Sequence, residues 1–238
     1  MRSWPLFALI VRTPRISLRL ASDDELDVLA TAAAGRVLPA AQADFMATGW
    51  TQLPSPAFER NFMQFHWKAR GDWRPESWSL QLVAFDDAQP IGGFGLTADD
   101  FTQARTVETG SWLLPEWRGR GLGTEARAAL LHLAFAELGA HEALSAAHKD
   151  NAASLGVSAA LGYEQTGVNV EIGPSGKSAP MVQVRLDSEA WRSHNALPVD
   201  VIGLDQCRDM FGPAVAFPPA ERQRGRAIVV PRGGGRRR

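Results

Sequence analysis

The chain has 238 residues, 45% of them apolar, which is enough to bury a full core in one large domain and excludes disorder along its whole length. Its net charge of −1 hides an asymmetry: residues 222–238 carry seven Arg and no acid, leaving 18 basic against 26 acidic residues elsewhere, a body unsuited to gripping a nucleic-acid backbone through Lys and Arg. The single cysteine, Cys207, excludes an internal disulfide framework and a multi-thiolate zinc site, and no apolar run reaches membrane-spanning length, so the reading is a cytoplasmic protein with no membrane span and no specific nucleic-acid partner.

Arg15–Leu20 alternates apolar and polar residues and predicts a first strand. Ser22 followed by Asp23, Asp24 and Glu25 is a capping box, which starts a helix of about three turns running to near Ala34. Residues 35–75 are rich in aromatics, and between Pro56 and Arg70 the spacing of Phe58, Phe62, Phe65 and Ala69 predicts a second amphipathic helix. Its rings serve either as core or as the wall of an acceptor pocket.

Trp78–Phe85 and Pro90–Leu96 read as two strands around a turn, the second weakened by Gly92, Gly93 and Gly95. After a polar loop over 97–105, Thr106–Leu114 is another strand, stopped by Pro115. The most regular helix runs from Thr124 to Leu138 and ends at Gly139. A short strand at Glu142–Ala147, a helix capped by Asp150 or Asn151 and closed by Gly162, and two strands around the turn Pro174-Ser175-Gly176 complete an α/β pattern with a mixed sheet. Val199–Leu204 is a further strand candidate.

Between the strand ending at Leu114 and the long helix lies Arg118-Gly119-Arg120-Gly121-Leu122-Gly123-Thr124. Successive main-chain N–H groups of such a turn face one concavity, and the helix start adds its dipole, so a diphosphate fits there without a lysine. Arg118 and Arg120 are placed to strengthen the field. Neither the dinucleotide fingerprint nor the Gly-Lys-Ser/Thr of a P-loop is present.

This turn, with Asp150-Asn151-Ala152-Ala153-Ser154 and Leu161-Gly162-Tyr163 downstream, resembles the signature of the GCN5-related N-acetyltransferase (GNAT) superfamily. Glu108–Leu113 and Leu133–Phe135 are similar to the RimJ/RimL-like branch of ribosomal-protein N-terminal acetyltransferases. The resemblance implies a mixed, mostly antiparallel central sheet with helices on both faces and acetyl-CoA as donor. It sets the pantetheine arm beside Trp112, Leu113 and Leu114, and the diphosphate on the N–H groups of Arg118, Gly119, Arg120, Gly121, Leu122, Gly123 and Thr124. Asn151 and Ser154 match positions near the arm. The acceptor it implies is an amine on a peptide or a small molecule, by direct attack, and a homodimer is left open. A non-catalytic acyl-CoA-binding or structural protein is the alternative.

For the chemistry, a main-chain N–H near Leu113 or Leu114 is the candidate for stabilising the thioester oxygen. Glu108 is the leading candidate base and His148 its rival. Where many members of the superfamily have a Tyr that protonates the thiolate, this chain has Ser158, with a shorter reach. Asp99, Asp100 and Glu171 are candidates for the acceptor opening. His132, His141 and His148 form no metal motif, and no metal is expected. Cys207 reads as a structural thiol. The expected organisation is an extension over 1–14, the acetyltransferase domain over 15–187, a C-terminal extension over 188–221 packed on or beside it, and a basic disordered tail over 222–238.

Overall fold

The computed structural model describes residues 2–45, 48–194 and 197–212; the basic stretch 222–238 lies outside them. In chain order the elements are β1 (Ile10–Arg12), β2 (Ser17–Arg19), α1 (Asp23–Ala33), α2 (Ala57–Gly71), β3 (Trp78–Asp86), β4 (Gln89–Ala98), α3 (Phe101–Ala104), β5 (Thr106–Leu113), α4 (Leu122–His132), β6 (Glu142–His148), α5 (Ala152–Ala160), β7 (Glu164–Ile172), β8 (Ser178–Asp187), α6 (Ser188–His194) and β9 (Asp200–Ile202). The strands form one sheet in the order β7-β8-β6-β5-β4-β3-β2-β1-β9. Every pairing is antiparallel except β5 with β6, so the expected mixed, mostly antiparallel sheet is the one observed.

Local sequence explains most starts and stops. Ser22 accepts from the Glu25 N–H while the Glu25 carboxylate accepts from the Ser22 N–H, closing the capping box that opens α1. Asn151, not Asp150, caps α5, its side chain accepting from Ser154 N–H at 3.1 Å. Several elements depart from the sequence reading, β1 and α6 having no counterpart in it. The long helix starts two residues earlier, at Leu122, and gives way after His132 to a π-turn over Leu133–Glu137. The polar loop after β4 contains the short α3, whose Phe101 is buried.

Helices flank both faces. Alternate residues of a strand point to opposite sides: on β5, Trp112 meets Phe62 of α2 edge-on at 6.0 Å, whereas Ser111 accepts a hydrogen bond from Arg127 of α4. The core between the layers includes Leu18, Leu29, Phe58, Leu82, Phe94, Leu130 and Leu133, all buried. The stretch before residue 15 contributes β1, and the one after 187 contributes β9, which is the sheet neighbour of β1. Trp73 and Trp78 pack against Phe211. Cys207 is fully buried and its thiol is pushed up to about 11, chiefly by burial, which suits a structural role.

His66 is buried on α2 beside Phe62, and burial, helped by Arg70, holds its imidazole down to about 4 from 6.5. The unfolded chain takes up this proton near 6.5 and the folded chain only near 4. Stability from this group is therefore complete above about pH 6.5 and lost progressively toward pH 4, by about 3 kcal/mol. Denaturant unfolding measured across that window should show the slope in the native sequence and a flatter line in His66→Leu. Glu25, held down to about 2 by Arg19, acts in a lower window, its contribution fading only below about 4.5.

Candidate functional site

β5 and β6 pair only through Thr106, Val107 and Glu108 with Glu142, Ala143 and Leu144; beyond Glu108 the two strands open. The main chain of β5 fills one side of the opening. Leu114 N–H donates to Ile91 O of β4 at 2.9 Å, so along the alternating ladder Leu113, Ser111 and Thr109 turn their N–H and C=O groups away from β4, toward the opening. Their carbonyls agree: Thr109 O accepts from the Ser145 hydroxyl of β6, and Leu113 O accepts from Arg118 Nε at 2.9 Å. Leu113 N–H thus faces the opening, whereas Leu114 N–H is already used.

A cleft of about 700 Å³ occupies this gap, running from Phe94, Ser111, Trp112 and Leu113 to the start of α4 on one side and α5 on the other. Gly119, Gly121, Gly123 and Thr124 line its α4 end, and Asn151, Ser154 and Val157 its α5 wall. Gly119 (φ +71°) and Gly121 (φ +78°) adopt left-handed backbone that side chains disfavour, and Gly121 is the residue that turns the chain into α4. Residues 38–45 close over the α5 end, with Phe45 stacked on His148 at 4.8 Å and Asp44 accepting from the Ser175 hydroxyl.

Of the two arginines expected to face the diphosphate, Arg118 lines the cleft but its guanidinium donates to Leu113 O and to Val37 O at 2.6 Å, tying the strand end to the segment after α1. Arg120 lies over the Trp117 ring at 4.7 Å. The turn is braced instead from a distance. Arg15 pairs with Glu125 in the first turn of α4 and donates to Arg120 O at 3.0 Å, and Thr13 donates to the other Glu125 oxygen at 2.6 Å.

Glu108 is exposed at the point where the sheet opens, on the Trp112 face of β5. It lies opposite Thr97, itself beside Ser79, whose hydroxyl accepts from Gln81. Gly110 presents no side chain between Glu108 and Trp112. A polar strip therefore shares the sheet face of Trp112, whose ring Trp50 and Phe62 meet edge-on. His148, nearly buried at the end of β6, accepts through Nδ1 from Asp150 N–H at 3.2 Å. Neither Glu108 nor His148 lines the cleft. Ser158 is buried on α5 and does not line it either, nor do Asp99, Asp100 and Glu171; Asp99 accepts from Ser77.

Sequence reasoning passed over Arg127, which is buried on α4 and lines the floor of the cleft. It donates to Ser111 Oγ at 2.6 Å and approaches Ser145 Oγ at 3.4 Å. A charged residue at the one polar position inside an otherwise apolar helix run, Ala126 to Leu131, was the available signal.

Residues 15–164 match the family profile described as the acetyltransferase (GNAT) domain. An L-methionine sulfoximine/L-methionine sulfone acetyltransferase of Pseudomonas paraeruginosa is 33% identical over 116 residues, 47% of this chain and 67% of that protein, as is its counterpart in Pseudomonas aeruginosa. Among solved structures, RimJ of Mycobacterium smegmatis in complex with CoA-disulfide superposes with a TM-score of 0.61 at 15% identity, over 86% of this chain and 95% of that one. The ribosomal-protein-S5-alanine acetyltransferase of Vibrio fischeri gives 0.58 at 15% identity, over 75% and 98%. No helix among the described residues is long and apolar enough to cross a membrane.

Proposed function

The chain belongs to the acetyltransferase (GNAT) domain family, and from that premise we propose that it transfers acetyl from acetyl-CoA directly to a primary amine on a small molecule or a peptide. The observation that carries this reading is the opening of β5 from β6, with positive-φ glycines at one end and the Glu108 carboxylate at the other. Acetyl-CoA supplies an activated acyl carbon.

The residues present fit that donor. Main-chain N–H groups from Gly119 to Thr124 and the start of α4 receive a diphosphate, and the opening beside Trp112 and Leu113 accepts an extended arm. Leu113 N–H, fixed by the sheet, stabilises the acyl oxygen as charge develops on it. Asn151 and Ser154 border the arm from α5. On the opposite face Glu108 draws a cationic amine to the polar strip and takes its proton, directly or through water. His148 already engages the Nδ1 lone pair by accepting from Asp150 N–H, which makes it the weaker base candidate.

A small amine is favoured over a long peptide by the cluster of Trp50, Phe62 and Trp112 rings on the Glu108 face of the sheet and by the acceptors named for the Pseudomonas relatives. Acetyl transfer measured over a panel of amino acids, polyamines and peptide N-termini tests both readings at once. Tight CoA binding with no turnover on any amine would mean a binding protein instead. Glu108→Gln is expected to lower kcat/KM about 100-fold and to flatten the acid limb of the pH profile. Activity unaltered at every pH would remove Glu108 from the reaction.

A further inference from the structure

Arg127 places a guanidinium in the interior with no carboxylate paired to it among the described residues. The one acid nearby on α4, Glu125, is engaged by Arg15 and Thr13. Tyr163, whose charge would be the other partner, is buried, kept neutral by that burial, and hydrogen-bonded to Thr109 at 3.0 Å. Arg127 Nε has no hydrogen-bond partner among the described residues. An uncompensated buried cation is expensive and persists where negative charge arrives beside it.

The two hydroxyls it touches are not equivalent. A serine hydroxyl has one proton to donate. Ser145 spends its proton on Thr109 O at 2.9 Å. Ser111 accepts from Arg127 at 2.6 Å and makes no donation to the protein among the described contacts, so its proton remains for a group in the cleft that it lines. A cation held against the oxygen makes that O–H a stronger donor. Ser111 also stands two residues before Leu113 on the same open edge of β5, at the reactive end of the cleft, whereas Ser158 is outside the cleft.

We propose that Ser111, polarised by Arg127, donates a hydrogen bond to the sulfur of the thioester as it departs. This rests on the acetyl-CoA reading above. As the amine nitrogen forms its bond to the acyl carbon, the carbon–sulfur bond breaks and its electron pair goes to sulfur. The amine proton leaves through Glu108 or water. Ser111 keeps its own proton and Arg127 offsets the thiolate charge, so the thiolate departs unprotonated and takes a proton from solvent. Ser111 is the catalytic residue in this scheme and Arg127 positions it.

The test is the ionisation of the thiol of bound CoA, followed by thiolate absorbance during a pH titration, alongside steady-state kinetics. In the native sequence the bound thiol should ionise at lower pH than free CoA. Ser111→Ala should bind CoA within about threefold, move that ionisation up by about one pH unit and reduce kcat about 20-fold with little change in KM. Ser111→Thr should retain most of the native behaviour, and Arg127→Lys more than Arg127→Met. An alanine variant that binds CoA normally and leaves the thiol ionisation where it was overturns the role of Ser111 alone. A native protein that does not bind CoA overturns the acetyl-CoA reading and this role with it.

Discussion

On the proposed acetyl-CoA reading, Gly121→Val should lower kcat/KM for acetyl-CoA about 1,000-fold, because two or more charge-assisted main-chain contacts to the diphosphate would disappear together. Two effects combine. The left-handed backbone at φ +78° is strained for a β-branched residue by about 1–3 kcal/mol. A side chain there also crowds the bracing Arg15, whose Nη2 lies 3.4 Å from the added Cβ. Gly121→Asn separates them, since Asn tolerates the backbone conformation but still occupies the space. Gly119→Asn, where an added Cβ meets nothing within 4 Å, is the milder control. Isothermal titration with CoA measures the binding directly, and a Val variant with native affinity would show that the diphosphate rests elsewhere.

Gly92→Ala should destabilise the fold by about 4 kcal/mol, read from denaturant unfolding. The added Cβ would lie 2.3 Å from Trp112 O and 2.9 Å from Leu113 Cα. Both are main-chain atoms of the paired strand, so relief requires β4 and β5 to move apart beside the Leu114–Ile91 hydrogen bond. The same movement would turn Leu113 N–H away from the opening, and turnover should fall further than the folded fraction alone explains. A loss under about 1 kcal/mol would mean that the strands yield there without strain. Gly93 has a different reason to be glycine: the Trp112 indole covers it, with Nε1 2.6 Å from an added Cβ.

Features set by near neighbours in sequence were legible before the structure. The capping box at Ser22 and Glu25, the Asn151 cap, the strand stopped by Pro115 and the glycine turn into α4 all depend on contacts within a few residues, and each leaves a local pattern. The α/β pattern followed from the order of strands and helices, and the mostly antiparallel sheet from the resemblance to the GNAT signature. What escaped depends on distant partners. Nothing near Arg118 in sequence announces that its guanidinium goes to Leu113 O and Val37 O instead of outward. The bracing of the turn joins Thr13 and Arg15 to Glu125 more than 100 residues away. The burial of Arg127 is made by β5 and β6, whose Ser111 and Ser145 it touches, and not by α4.

The pairing of β1 with β9 sets an order of assembly. The pairs β1–β2, β3–β4 and β4–β5 join strands close in the chain, but the outer edge of β1 waits for residues 200–202, about 190 positions later. Ring closure over that span adds little to the equilibrium free energy, since its entropy grows only with the logarithm of loop length. Its effect is on time, because contacts of such high order form late. While the chain is being made, Ile10–Arg12 carries unpaired main-chain groups, a short edge ending in Arg12, and brevity and charge are the features that keep such an edge from recruiting a foreign strand.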